Sequence, residues 1–101
     1  MSIDTHWTVP LDHPAFAGHF PGTPILPGVV LLDTALQAIA KASGIALDRC
    51  EISSVKFLSP AGPGDALVIQ HEVSASGTIR FDIMAGARKI ASGSIVPGSP
   101  E

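Results

Sequence analysis

The sequence predicts an α+β domain, an antiparallel sheet curled about one central helix. Three observations carry that prediction. Val29, Leu32, Leu36, Ile39 and Ala40 recur at helical spacing between Pro27 and Gly44, residues that suit a helix start and a helix end. Leu67, Ile69, His71 and Val73 alternate, as do Ile79, Phe81 and Ile83, with Ser76-Gly77 between the two runs. No linker, charge block or internal repeat divides the 101 residues, so residues 1–101 read as a single domain with a frayed tail at 97–101.

Each element has its own local reason. Ile3, Thr5, Trp7 and Val9 alternate with polar residues and form a first strand that Pro10 ends. From Pro10 to Gly28 five prolines and three glycines exclude regular helix or central strand, leaving a long stiff loop. Loops of that length in a small domain are usually functional. The helix that follows is apolar nearly all round, so it should be buried on most sides. Val55 and Phe57 open the sheet's second part, "SPAGPGD" breaks it, and Asp65 caps that turn. Gly86 marks a further turn before a last strand from Ile90 to Val96. Strands joined by such short turns should pair antiparallel, with one apolar and one polar face.

Composition removes several functions. Nine acidic against six basic residues give a net charge of −3, the wrong sign for nucleic acid. Asp33, Lys41 and the prolines and glycines interrupt every candidate membrane span. No charged leader precedes an apolar stretch, so export is not expected. Cys50 is the single cysteine, which excludes an internal disulfide and fits the cytoplasm. It reads as a small packed residue, since no motif surrounds it. Asp12, His13 and His19 could suggest a metal site, but no further ligand joins them, so no metal is expected. His6 and His71 fall on strands and read as structural.

The chemistry concentrates in "GHFPGTPILPGVVLLD", residues 18–33. Asp33 and Gln37 are one helical turn apart, so the amide can hold the carboxyl. Placed among Val29, Val30, Leu32 and Leu36, the carboxyl would be desolvated and kept protonated, fit to act as a general acid. The plainer alternative is an acid stabilised by the helix N-terminus. His19 is either an ordinary hydrogen-bonded loop histidine or a base held by Gly18, Pro21, Gly22 and Pro24. Gly28, without a side chain, would let an acyl carbonyl approach the unpaired N–H groups that open a helix. Base, acid and amide together make an elimination site.

At these residues the sequence resembles a known family. "HPAFAGHFPGTPILPGVVLLDTALQ" is similar to the signature of the 3-hydroxyacyl-(acyl-carrier-protein) dehydratases, and "SVKFLSPAGPGDAL" looks like their second recurring segment. The resemblance implies the hotdog fold. It also implies that His19 removes the C2 proton, Asp33 protonates the departing hydroxyl, and the Gly28 amide holds the thioester carbonyl. It further implies a homodimer, with His19 of one subunit facing Asp33 of the other beside a tunnel for the acyl chain; the elimination chemistry itself requires no metal or organic cofactor. Asp at position 33, where the broad subgroup has Glu, is typical of the subgroup that also isomerises the product. The short chain resembles compact dehydratases of polyene and other specialised acyl pathways.

Two points stay open on the residues alone. Phe20, Ile25, Leu26, Val29 and Val30 either line an acyl tunnel or are ordinary core. Lys56, Arg80, Arg88 and Lys89 either form a basic patch for an acidic acyl carrier protein or are solvated surface residues, the carrier then being coenzyme A. Two other functions compete with dehydration: a hotdog thioesterase using Asp33, and a non-catalytic acyl-binding subunit.

Overall fold

Short turns fix the centre of the sheet. In the computed structural model, which describes residues 2–14, 25–47 and 49–98, β3 (Ala66–Val73), β4 (Ile79–Ala85) and β5 (Arg88–Val96) form an antiparallel meander. The two earlier strands take its edges. β1 (Ile3–Thr8) pairs with β3 and β2 (Glu51–Phe57) with β5, giving the order β1-β3-β4-β5-β2, antiparallel throughout. The α+β prediction holds. The tail residues 99–101 lie outside the described residues.

Alternation sorts the sheet into two faces. Leu67, Ile69 and His71 of β3 lie in one buried row beside Ile79, Phe81 and Ile83 of β4, while Gln70, Arg80 and Asp82 point to the other face. Gly93 lets the inner row close up. A side-chain carbon there would lie 2.6 Å from the Ser54 carbonyl oxygen and 2.8 Å from the Phe81 ring. Beside it β2 shifts register between Ile52 and Ser54, and Ser53 Oγ comes within 2.7 Å of Ser94 Oγ. The bulge interrupts the alternation of β2.

His71 is the exception in that inner row. It is 2% exposed, the one buried polar residue among those described, and neither ring nitrogen has a hydrogen-bond partner there. Burial disfavours the charged imidazolium and lowers its pKa below the ordinary 6.5.

Helix α1 (Gly28–Ser43) follows Pro27 and ends at Gly44, whose left-handed backbone (φ 75°) turns its N–H back to the Ala40 carbonyl at 2.9 Å. Both predicted ends are where the sequence put them. Its burial is not. Leu31, Ala35 and Ile39, spaced four apart, form the buried ridge, whereas Val29, Asp33, Gln37 and Lys41 form an exposed ridge on the far side. The expectation of burial on most sides fails for the single chain, because one curved sheet covers only one side of a cylinder. Val30, Leu32 and Leu36 on the flanks are half-buried.

Candidate functional site

Among the described residues, the first two N–H groups of α1 have no hydrogen-bond acceptor. Val30 and Leu31 both donate to the Pro27 carbonyl at 3.1 Å, so the N–H groups of Gly28 and Val29 precede the first bonds of the helix. Among the described residues no side chain caps that end. The segment before it is anchored from elsewhere, since the Leu26 N–H donates to the Ala61 carbonyl at 2.7 Å.

Gly28 faces an aromatic ring. A side-chain carbon on it would stand 3.0 Å from Phe57, so only glycine leaves this approach open without displacing the ring. Here a cleft of about 420 Å³ opens, walled by Ile25, Leu26, Leu31, Phe57, Leu58 and Ala61. Its lining is mainly apolar and includes Gly28 and Ser59. A cleft of this kind can hold an aliphatic chain with its polar head at the Gly28 amide.

Ile25 and Leu26, expected as tunnel residues or core, both line this cleft, and Leu26 is also buried in the core. Val29 and Val30 do not line it, and Val29 is 74% exposed on the outer ridge. His19 and Phe20 lie outside the described residues. Phe57, Leu58 and Ala61 are the walls that pattern reading missed. The signal lay in "SVKFLSPAGPGDAL", where an apolar strand runs straight into a proline-rich turn.

Asp33 departs from expectation in one respect. Gln37 Nε2 does donate to its Oδ2 at 2.8 Å, as the spacing predicted. Its carboxylate, however, is exposed in the single chain rather than packed among Val29, Val30, Leu32 and Leu36. Asp33 stands two residues from Leu31, roughly 200° around the helix, so it turns away from the sheet that Leu31 faces. One chain therefore does not place Asp33 inside the Gly28 cleft.

The proposed basic patch divides. Arg88 is bonded to the loop after β2, and Lys89 Nζ pairs with Asp82 at 3.3 Å. Lys56, Arg80 and the paired Lys89 and Asp82 border a shallow polar depression of about 570 Å³ together with Gln70, Ser92 and Ser94, on the sheet face turned from the helix, so Arg88 stands apart from the other three cations. Asp65 caps its turn as predicted, accepting the Gly62 N–H at 2.9 Å. His13 sits edge-on to Trp7, with ring centroids 6.4 Å apart. Among the described residues no cluster of three metal-ligating side chains occurs, and no helix is long and apolar enough to cross a membrane.

Residues 1–94 match the ApeI-like family, described as ApeI dehydratase. The chain belongs to the ApeI-like dehydratase family. It is also 35% identical to the 3-hydroxyacyl-[acyl-carrier-protein] dehydratase FabZ of Chlamydia trachomatis serovar L2, over 93% of this chain and 70% of that one. Among solved structures it resembles the dehydratase heterocomplex ApeI:P from Xenorhabdus doucetiae, with a TM-score of 0.71 and 26% identity, covering 94% of this chain and 85% of that one. A mutant of the fluoroacetyl-CoA-specific thioesterase FlK, in complex with fluoroacetate and CoA, has a TM-score of 0.68 over 94% of this chain and 88% of that one. At 17% identity it shows only the shared fold. The dehydratase thus has a hotdog architecture, with a mainly apolar cleft at the N-terminal end of the helix.

Proposed function

We propose that this dehydratase acts on a 3-hydroxyacyl thioester, carried by acyl carrier protein or coenzyme A, and releases the trans-2-enoyl thioester in fatty-acid or polyene biosynthesis. The observation that carries this reading is the mainly apolar cleft that Gly28 lines at the start of α1, the helix that also presents Asp33. The thioester carbonyl accepts a hydrogen bond from the Gly28 amide. That bond strengthens as the C2 proton leaves and charge collects on oxygen, an effect worth about 3 kcal/mol for one oriented donor. His19 takes the C2 proton. Asp33 delivers a proton to the C3 hydroxyl as the C–O bond breaks, because hydroxide is a poor leaving group.

The exposure of Asp33 supports a site completed by a second subunit. Edge strand β2 is exposed through nearly its whole length, with Ile52 at 40%, Phe57 at 50% and the adjoining Leu58 at 55%. An unpaired edge with apolar side chains is a template for a strand of another chain. In a homodimer His19 of one subunit meets Asp33 of the other, and the half-buried flanks of α1 lose their remaining water. A second reading takes an unlike partner, as the Xenorhabdus doucetiae heterocomplex shows for that protein. Mass measurement of the purified chain separates the two.

The deciding assay offers the purified protein a short trans-2-enoyl thioester and follows loss of the conjugated absorbance beside release of free thiol. Absorbance loss without thiol, abolished by His19→Ala, is the expected result. Thiol release would replace this reading with the thioesterase. Silence in both channels, with carrier-linked substrates as well, would leave a non-catalytic subunit.

A further inference from the structure

Arg88 opens β5, yet its contacts reach back across the chain. Its Nη1 donates to Ser59 Oγ at 2.8 Å and to the Pro60 carbonyl at 2.6 Å, and its Nη2 lies 3.5 Å from Asp65 Oδ2. That same carboxylate oxygen accepts the Gly62 N–H. One guanidinium and one carboxylate therefore clamp the turn between β2 and β3 from both sides.

The middle of the turn takes its donor from outside. Pro60 and Pro63 have no N–H, which removes two rungs that a backbone ladder would use. The N–H groups of Leu58 and Ser59 go instead to the Ile90 carbonyl, at 2.8 and 3.2 Å, so the start of β5 holds the near end of the turn while Arg88 holds its middle. The half-exposed Arg88–Asp65 ion pair by itself stabilises little. The far end is held as well, by the Gly64 N–H on the Val9 carbonyl at 2.8 Å and the Val9 N–H on the Asp65 carbonyl at 2.9 Å, so what Arg88 adds is a hold on the Ser59–Pro60 step between two anchored ends.

That segment is a wall of the site. Leu58, Pro60 and Ala61 line the cleft, and the Ala61 carbonyl holds Leu26 just before Gly28. We infer that Arg88 is a positioning residue that sets how well this site takes long acyl chains, an inference that rests on the dehydratase reading of the cleft. In a four-carbon substrate the thioester carbon, C2 and C3 occupy the reacting end and leave one methyl. Longer chains must run against the wall that Arg88 fixes.

The test compares wild type with Arg88→Ala and Arg88→Lys on four-carbon and eight-carbon trans-2-enoyl thioesters, beside hydrogen exchange at the Leu26 and Ser59 amides. Arg88→Ala should keep kcat/KM for the short substrate within about twofold and lose about tenfold for the long one, chiefly in KM. Arg88→Lys, which retains one donor for the Pro60 carbonyl, should recover part of that loss and carries the test if the alanine variant does not fold. Exchange should quicken at Leu26 and Ser59 in Arg88→Ala and stay unchanged along β3. An equal loss for both lengths, no loss for the long substrate, or unchanged exchange at Leu26 would overturn the inference while leaving the dehydratase reading intact. A wild type silent on both substrates, with Leu26 still loosened in Arg88→Ala, would instead overturn the dehydratase reading and the chain-length role with it.

Discussion

The two long ridges of α1 are made from one stretch of sequence and have opposite fates. Leu31, Ala35 and Ile39 are pressed against the sheet, with 4%, 0% and 0% of their surface exposed. Val29, Asp33, Gln37 and Lys41 stand in water. The buried ridge attaches the helix to the fold, and the exposed ridge presents the hydrogen-bonded pair Asp33 and Gln37 to solvent. Stability and turnover should therefore respond to different substitutions only a few residues apart.

The largest effect is expected from Asp33. Asp33→Asn keeps the size and a hydrogen-bonding partner for Gln37 but cannot deliver the proton. Turnover should fall by a factor of about 10² to 10⁴ while the thermal midpoint stays within experimental error. A variant that keeps near wild-type rates removes Asp33 from the proposed mechanism; one that unfolds shows that the outer ridge has a structural task.

The buried ridge should give the mirror image. Ile39→Ala removes a fully buried side chain that the sheet cannot follow inward, and it should lower the unfolding free energy by about 2–5 kcal/mol in a denaturant titration. Activity per folded molecule should change little. Loss of activity in the folded variant would mean that packing beneath the helix also steers the chemistry above it.

Much of this division was legible in the sequence. Pro27 and Gly44 marked the helix, alternation marked β3 and β4, and the four-residue spacing of Asp33 and Gln37 gave their hydrogen bond. The extent of burial was not legible, because Val30, Leu32 and Leu36 look equally apolar whether the sheet or another subunit covers them. Composition records that a surface wants cover, not what supplies it. The start of β2 was hidden for another reason, since the bulge between Ile52 and Ser54 breaks the period on which strand reading depends. Arg88 resembled a solvated cation because its partners lie 23 to 29 positions away.

His71 sharpens the comparison from the sheet side. Its pKa is lowered by burial, so the native state holds it neutral while the unfolded chain takes up a proton near pH 6.5. The stability tied to its neutral form is whole above that pH and is lost as the pH falls below it. His71→Leu should flatten that acidic loss in thermal melts between pH 7 and pH 5, and should raise stability at neutral pH by about 1–3 kcal/mol, since it removes two unpaired buried nitrogens. An unchanged acidic slope would mean that other groups control it.

The smallest effect is the one that reports most directly on the outer ridge. Gln37→Ala deletes the 2.8 Å hydrogen bond to Asp33 and little else. If Asp33 works in water, as in the single chain, an exposed pair one turn apart is worth so little that kcat should drop by about twofold or less. If a second subunit covers the ridge during turnover, the same bond lies in a drier setting and holds the only rotamer that reaches the substrate, so the loss should approach about tenfold. The larger drop is expected, accompanied by no change in melting temperature. A drop of twofold or less in a variant that remains assembled would mean that Asp33 stays solvated in the working enzyme, and that the far face of α1 is left open by the subunit arrangement.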